Sequence, residues 1–347
     1  MSDRISNLVS ELKEKRTLSD EGLKILLDTS NSAGALLSKA ALYTKKAHYG
    51  NDIFIRGLIE FTNYCKNNCL YCGIRTANDR LERFRLSRTD ILECCSTGYS
   101  LGFRTFVLQG GEDMYFTDDI MCDIINEIHT SYPDCVITLS IGEKSSESYK
   151  AYFNAGARRF LLRHETANDE HYKMLHPCSM SLSNRKQCLY NLKEIGYQVG
   201  TGFMVGSPYQ TVEHIIEDLR FIQKFNPHMV GIGPFISHKD TPFGAMPNGS
   251  AELTLRLLSI IRLMLPKVLL PATTALNTLD SDGHISGILS GANVIMPNLS
   301  PHKTRKLYNL YDGKCCTDCE AAENLALLER KVSSAGFRIV YSVGNPA

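Results

Sequence analysis

The sequence predicts an α/β protein built as a complete (β/α)8 TIM barrel, and three observations carry that prediction. Short apolar runs alternate with longer amphipathic ones from about residue 53 to about residue 300, which is the pattern of parallel βαβ units. Eight such units over roughly 250 residues is the size of a closed barrel. Glycine stands repeatedly where a helix gives way to a strand, at Gly102-Phe103, Gly156-Ala157, Gly196-Tyr197 and Gly291-Ala292. There its access to positive φ ends the helix. A partly open six-stranded barrel is the alternative, and the last two strand–helix units favour closure.

Taken in order, residues 1–49 read as an N-terminal helical extension. Ile5, Leu8, Val9 and Leu12 recur at helical spacing, as one buried face requires. Thr17-Leu18-Ser19-Asp20 is a cap signal before Leu23, Leu26 and Leu27, and the stretch from Ala35 to Tyr49 continues in the same manner. This extension is expected to cover the bottom of the barrel. The barrel itself is assigned to residues 50–300. Strands are expected at 54–61, 105–109, 136–141, 160–164, 199–205, 229–235, 269–274 and 293–297. Helices are expected at 90–101, 118–130, 146–155, 184–195, 211–225, 252–265 and 283–290. Residues 301–347 form a short C-terminal tail that closes the barrel.

Composition narrows the class of protein. The chain has 347 residues, 43% hydrophobic and 22% charged, ordinary proportions for a soluble globular enzyme with a large core. A net charge of +1 argues for no nucleic-acid or anionic-membrane surface. No apolar run approaches the ~20 residues that span a bilayer. The start, Met1-Ser2-Asp3-Arg4, lacks the apolar core of a signal peptide. A cytoplasmic, soluble protein is expected. Its twelve cysteines then read as ligands and buried thiols rather than disulfides.

Three of those cysteines stand out. Cys65-Lys66-Asn67-Asn68-Cys69-Leu70-Tyr71-Cys72 places three thiols within eight residues, spaced C-x3-C-x2-C, at the end of the first strand. Thiolates crowded this closely repel unless a soft cation neutralises them. Zinc usually takes four ligands in two separated pairs. A cubane iron–sulfur cluster held by three cysteines leaves one iron open to a small molecule. A structural zinc loop or three unrelated buried thiols are the bland readings.

In a barrel the active site is built from the carboxyl ends of the strands. Strand two ends in Gln109-Gly110-Gly111-Glu112-Asp113. Its glycines let the backbone approach a ligand or form a plain tight turn. Strand three carries Thr138 and Ser140 on one face. Strand four ends in Arg163-His164-Glu165, with Arg163 and Glu165 turned to the same side by alternation. These two form a mutual salt bridge, or they meet the charged groups of a ligand. Arg185, near the start of the next helix, is either solvent-exposed or a bidentate carboxylate grip. Gly231 and Gly233 on strand six leave room for a flat ring. Strand seven ends in Thr273-Thr274, suited to an anionic group. Cys315, Cys316 and Cys319 near the end are either a second metal site or loose thiols.

The cysteine spacing, with aromatic Tyr71 before the last cysteine, resembles the cluster motif of the radical S-adenosylmethionine (radical SAM) superfamily. Longer phrases are similar to the HydE family of [FeFe]-hydrogenase maturases. They are Leu162-Arg163-His164-Glu165-Thr166-Ala167-Asn168, Met229-Val230-Gly231-Ile232-Gly233-Pro234-Phe235, Pro271-Ala272-Thr273-Thr274-Ala275 and Asn293-Val294-Ile295-Met296-Pro297-Asn298. The resemblance covers about residues 50–313. It implies a [4Fe–4S] cluster on Cys65, Cys69 and Cys72, with S-adenosylmethionine near Ser140, Glu165 and Arg185. Tyr71, Gly110, Gly111 and Glu112 join that cofactor set. Gln109, Thr138, Arg163, Met229, Thr273, Thr274, Tyr308 and Tyr311 fall around its substrate cavity.

The implied activity is reductive cleavage of S-adenosylmethionine. The resulting 5′-deoxyadenosyl radical attacks a cysteine-bound iron–carbonyl–cyanide precursor of the hydrogenase di-iron subcluster. A small organometallic substrate, a low-potential electron donor and other hydrogenase maturases are the implied partners. In members of that family with a second cluster, three well-spaced cysteines lie near the C-terminus. Here Cys315 and Cys316 are adjacent and only Cys316 and Cys319 chelate well, which puts a second cluster in doubt. A methylornithine synthase-like mutase and a biotin-synthase-like enzyme share the same barrel and remain rival readings. A non-catalytic iron–sulfur scaffold is the rival of a different class.

Overall fold

A computed structural model describes residues 2–314 and 322–347. Its strands are β1 (Asp52–Ile55), β2 (Gly57–Thr62), β3 (Thr105–Gly110), β4 (Val136–Ser140), β5 (Ala157–Leu161), β6 (Gln198–Thr201), β7 (Met204–Val205), β8 (Met229–Val230), β9 (Gly233–Pro234), β10 (Val294–Ile295) and β11 (Arg338–Val340). Six of them form one parallel sheet in the order β2-β3-β4-β5-β6-β8. The pairing then continues through single bridges. Val230 N donates to Leu269 O at 2.9 Å and Ala272 N to Val294 O at 2.9 Å, while Leu58 N, on the first strand, donates to Pro297 O at 2.8 Å. Each expected strand is therefore linked to the next, and the eighth returns to the first. The fold is α/β with parallel strands and helices between them.

Helix starts follow their caps. The side chains of Ser87, Thr117, Ser145, Ser181, Thr211 and Ser250 each accept a backbone N–H from the first turn of their helix, which satisfies donors that no intrahelical carbonyl can reach. Alternating strand residues Ile59, Phe61, Phe106, Leu108, Ile137, Leu139 and Phe160 are buried against Ile91, Ile124, Tyr149, Leu189 and Leu192 of those helices. Each such side chain contributes about 1.5–3 kcal/mol on burial.

Several expectations change, and among them the run 229–235 is split into β8 and β9, the second pairing with β7 outside the six-stranded sheet. Strand one breaks at Arg56: β1 pairs with β10 and β11, whereas β2 pairs with β3. The run 199–205 breaks at Gly202, where a Cβ would stand 1.9 Å from Gly231 O. Thr274 is not in a strand. It opens the helix Thr274–Leu279, capped by Thr273. The helix Asp169–Leu175, capped by Asn168, was not expected, because two turns carry too little periodicity to see.

The N-terminal helices pack on the flank rather than the bottom. Ile5, Leu12, Leu23, Leu26 and Leu37 share a core with Ile215, Leu219, Leu257 and Ile261. The reason lies in the helix Ala251–Met264, whose residues 256–264 are all buried. A helix buried on every side needs a second layer over it. At the bottom lies the C-terminal end, where Arg159 Nη2 donates to Val343 O and Gly344 O at 2.8 and 3.2 Å, and Arg56 Nη2 donates to Gly344 O at 3.4 Å.

Candidate active site

The carboxyl ends of the strands enclose a cavity of about 310 Å³, within the size range of small-molecule sites. Cys65, Cys69, Tyr71 and Cys72 line it, together with Gln109, Gly110, Gly111, Glu112, Ser140, Arg163, Glu165, Arg185, Thr273, Tyr308 and Tyr311. Fifteen residues chosen from the sequence thus meet in one space. Thr138, Met229 and Thr274 do not line it. Thr138 lies two residues below Ser140 on β4, with its hydroxyl buried and without a hydrogen-bond partner. Met229 lies deep on β8, where its sulfur accepts from Arg56 Nη1 at 3.1 Å. Thr274 sits between Thr273 and Ala275, which do line the cavity. Cys315, Cys316 and Cys319 lie outside the described residues.

The cysteine loop is shaped by its neighbours. Leu70 N donates to Leu175 O, Gly73 N to Leu310 O and Thr76 N to Asn67 O, at 2.8–2.9 Å. Glu112 binds the loop at both ends of its own structure. Its N–H donates to Cys65 Sγ at 3.4 Å, its carbonyl accepts from Lys66 N at 2.9 Å, and its carboxylate pairs with Lys66 Nζ at 3.3 Å. The other carboxylate oxygen accepts from Glu143 N at 3.0 Å. The glycine after β3 has a plain cause: a Cβ on Gly111 would stand 2.1 Å from Tyr64 O. The close approach it permits is to the cysteine loop itself.

Burial pushes the Cys72 thiol up to about 12 and the Cys69 thiol higher still, with the neighbouring thiols adding to both. Thiolates so disfavoured persist only against a strong local cation. Among the described residues no three His, Cys, Asp or Glu side chains converge as the ligands of one ion must. Three soft thiols from one loop, with no His, Cys, Asp or Glu completing a four-ligand set among the described residues, would suit a cluster that leaves one iron open. The residues present fit a cluster better than a single zinc.

Arg163 and Glu165 face each other just beyond the end of β5, with Nη2 and Oε2 3.2 Å apart. Both atoms are nevertheless buried and unaligned for a hydrogen bond, so the contact is an ion pair that leaves donors and lone pairs for a ligand. Glu165 holds a φ of +66°, a costly conformation for a non-glycine residue. It is fixed by Glu165 N donating to Gly202 O at 3.1 Å. His164, between them, turns away and is fully buried, with its ring nitrogens 2.9 Å from Thr201 Oγ1 and 3.1 Å from Asp218 Oδ1.

Arg185 is buried rather than solvent-exposed. Its Nε lies 2.7 Å from Glu143 Oε1. Burial works against its charge, but Tyr172, Glu143 and Glu112 outweigh that and hold it protonated. Glu143 was missed in the sequence. The signal available was its place three residues beyond Ser140, after Gly142, whose φ of +74° marks a turn. His176 was missed too: its Nε2 lies 3.1 Å from Tyr71 Oη, and burial lowers its pKa to about 3. It ends a helix that the sequence did not reveal.

Tyr308 and Tyr311 reach the cavity on the C-terminal segment. A buried ion pair fastens that segment to β2, with Lys314 Nζ 2.5 Å from Glu60 Oε1. Tyr308 is buried, with Gln109 beside its phenol.

Residues 59–222 match the model of the radical SAM superfamily. The chain is 42% identical over 309 residues to the [FeFe] hydrogenase maturase subunit HydE of Thermotoga maritima, covering 89% of this chain and 88% of that protein. It is 30% identical over 305 residues to the 3-methylornithine synthase of Methanosarcina barkeri, covering 86% and 85%. Among solved structures, methylornithine synthase (PylB) superposes with a TM-score of 0.85 at 26% identity, over 96% of this chain and 97% of that one. The [FeFe]-hydrogenase maturase HydG superposes with a TM-score of 0.80 at 21% identity, over 98% and 77%, and shares the fold.

Proposed function

We infer the following from one premise: this chain belongs to the family of the [FeFe]-hydrogenase maturase HydE, within the radical SAM superfamily. It is an enzyme of hydrogenase maturation. The superfamily implies a [4Fe–4S] cluster and S-adenosylmethionine. When bound, these supply a 5′-deoxyadenosyl radical on one-electron reduction.

We assign the cluster to Cys65, Cys69 and Cys72. Glu165 would receive the cofactor ammonium. Arg185, kept charged and in place by Glu143, would face its carboxylate, and Ser140 with the backbone of Gly110 and Gly111 would border it. Arg163 would hold the carboxylate of a small cysteine-bound iron–carbonyl–cyanide substrate, with Gln109, Thr273, Tyr308 and Tyr311 around it. Thr138 and Met229, below the cavity, would shape its floor. A low-potential reductant and other maturases would be the partners, in the cytoplasm, where thiols stay reduced. No helix among the described residues is long and apolar enough to cross a membrane.

The observation that carries this reading is the meeting of the cysteine loop with Arg163, Glu165 and Arg185 around one cavity. The test is anaerobic reduction of the iron-reconstituted protein with S-adenosylmethionine. We expect 5′-deoxyadenosine, lost on changing any of the three cysteines to Ser. Turnover by Cys72→Ser equal to that of the unchanged protein would sink the cluster assignment. Conversion of lysine to methylornithine, rather than of the iron–cysteine complex, would move the chain to the mutase reading.

A further inference from the structure

Six basic residues lie in or just after the cysteine loop, and most are paired with a carboxylate. Lys66 meets Glu112, Arg80 meets Asp240 at 3.0 Å, Arg85 meets Asp113 at 2.7 Å, and Arg88 meets Glu127. Arg83 is different. Its Nη1 donates to Asn63 O at 2.6 Å and Ile74 O at 2.9 Å, and its Nη2 donates to Arg75 O at 2.6 Å and Asn78 O at 3.1 Å. Asn63 is two residues before the first cysteine and Ile74 two after the last. One planar fork therefore joins the two ends of the loop that carries all three thiols. Only a guanidinium has enough donors, held in one plane, to span four such acceptors.

Neutral carbonyls satisfy these donors without cancelling the charge. Cys65 and Cys72 lie within electrostatic reach of that charge. Arg75 repeats the arrangement. Its Nη2 makes one long bond to Asn68 O at 3.4 Å, and its Nε is buried without a partner. Cys69 and Cys72 lie within electrostatic reach of Arg75. Among the described residues neither arginine has a carboxylate in ion-pair range. Two guanidinium groups without a carboxylate partner are thus anchored on the backbone of the loop that carries the thiols.

We propose that Arg83 and Arg75 prepare the cluster site for electron uptake: Arg83 positions the three thiols by tying the loop ends together, and the two uncancelled charges stabilise the reduced cluster. The inference rests on the assignment of the cluster to Cys65, Cys69 and Cys72. Reduction adds one electron, supplied by a low-potential donor, to a cluster already carrying three thiolates. Cluster potentials respond to nearby charge and hydrogen bonding, and a fixed positive charge in a partly buried site favours the more negative form.

The experiment uses the reconstituted full chain. Iron content and the ratio of reduced to oxidised cluster at a fixed solution potential are read by spectroscopy, before any turnover. Arg75→Gln, which gives up only one weak bond, is expected to keep about four irons per chain. Its ratio should fall about threefold to tenfold, and Arg75→Lys should restore it. A tenfold fall is about 59 mV for a one-electron couple. Arg83→Lys is expected to keep the ratio in whatever cluster it holds but to bind less iron, because an ammonium cannot reach four carbonyls at once. An unchanged ratio in Arg75→Gln overturns the electrostatic role. Full iron loading in Arg83→Lys, with cluster loss on heating unchanged, overturns the positioning role. An unchanged protein that binds no iron at Cys65, Cys69 and Cys72 removes the assignment beneath both, and is distinguishable from either.

Discussion

Replacing Glu165 by Gln should weaken S-adenosylmethionine binding about five- to tenfold while leaving the fold intact. The change keeps side-chain shape and tolerates the same φ of +66°, so it tests charge alone. Glu165 is only 15% exposed and its Oε2 has no aligned hydrogen-bond partner, which leaves it available to an ammonium group. Gln would keep a hydrogen bond to the charged ammonium, but it loses the Coulomb attraction of the carboxylate, about 1 kcal/mol at 4 Å even in bulk water. Gln therefore forfeits about 1–1.5 kcal/mol, and each 1.4 kcal/mol is tenfold in affinity. The lost pairing with Arg163 adds little to stability, because Arg163 is 32% exposed and the pair is unaligned. Equilibrium binding of the cofactor to the iron-loaded protein measures the effect, with thermal unfolding of the same sample as the control. An affinity within twofold of the unchanged protein would refute the reasoning and return Glu165 to a purely structural ion pair.

Three further outcomes are expected. Arg163→Lys should lower kcat/KM for the iron–cysteine substrate about tenfold and spare cofactor affinity, since Lys keeps the charge but loses the planar fork; steady-state product formation equal to that of the unchanged enzyme would end the anion-clamp role. Gly111→Ala should cost about 1–3 kcal/mol and reduce iron loading, because the new Cβ meets Tyr64 O at 2.1 Å; calorimetry and iron analysis check both, and full loading would show that the backbone can give. Lys45→Met should raise stability below pH 7 and less so as pH rises. Burial lowers the Lys45 amine from 10.5 to about 7, so between those values the unfolded chain holds a proton that the folded one lacks, and native stability climbs with pH. The full difference corresponds to up to about 5 kcal/mol, offset by the Phe337 ring 3.8 Å from the ammonium; a stability gain independent of pH from 6 to 10 would contradict it.

How much of this could be read from the chain depends on the range of the interaction. Helix boundaries rest on caps and periodicity within a few residues, and Ser145, Thr211 and Ser250 set them where the sequence placed them. Strand ends fixed the site in the same way: residues closing β2, β3, β4 and β5 point toward one mouth because parallel strands present corresponding ends together. The three cysteines, Arg163 with Glu165, and Gln109 with Ser140 were legible for that reason, the last two also sharing a register position across β3 and β4.

The tertiary structure alone decided what lies between distant segments. Nothing local in Arg185 or Glu143 says that their side chains will meet, or in Lys314 that it will reach Glu60 across 254 residues of chain. Depth was equally hidden: Thr138 and Met229 share the expected strands but sit below the cavity, since a strand's pleat sets a side chain's face while the register of its neighbours sets its height. The sequence by itself determined where most of the elements begin and which polar and thiol side chains stand at the strand ends. Packing decided which of those residues face one another, because that depends on register and on conformers chosen by neighbours far away in the chain.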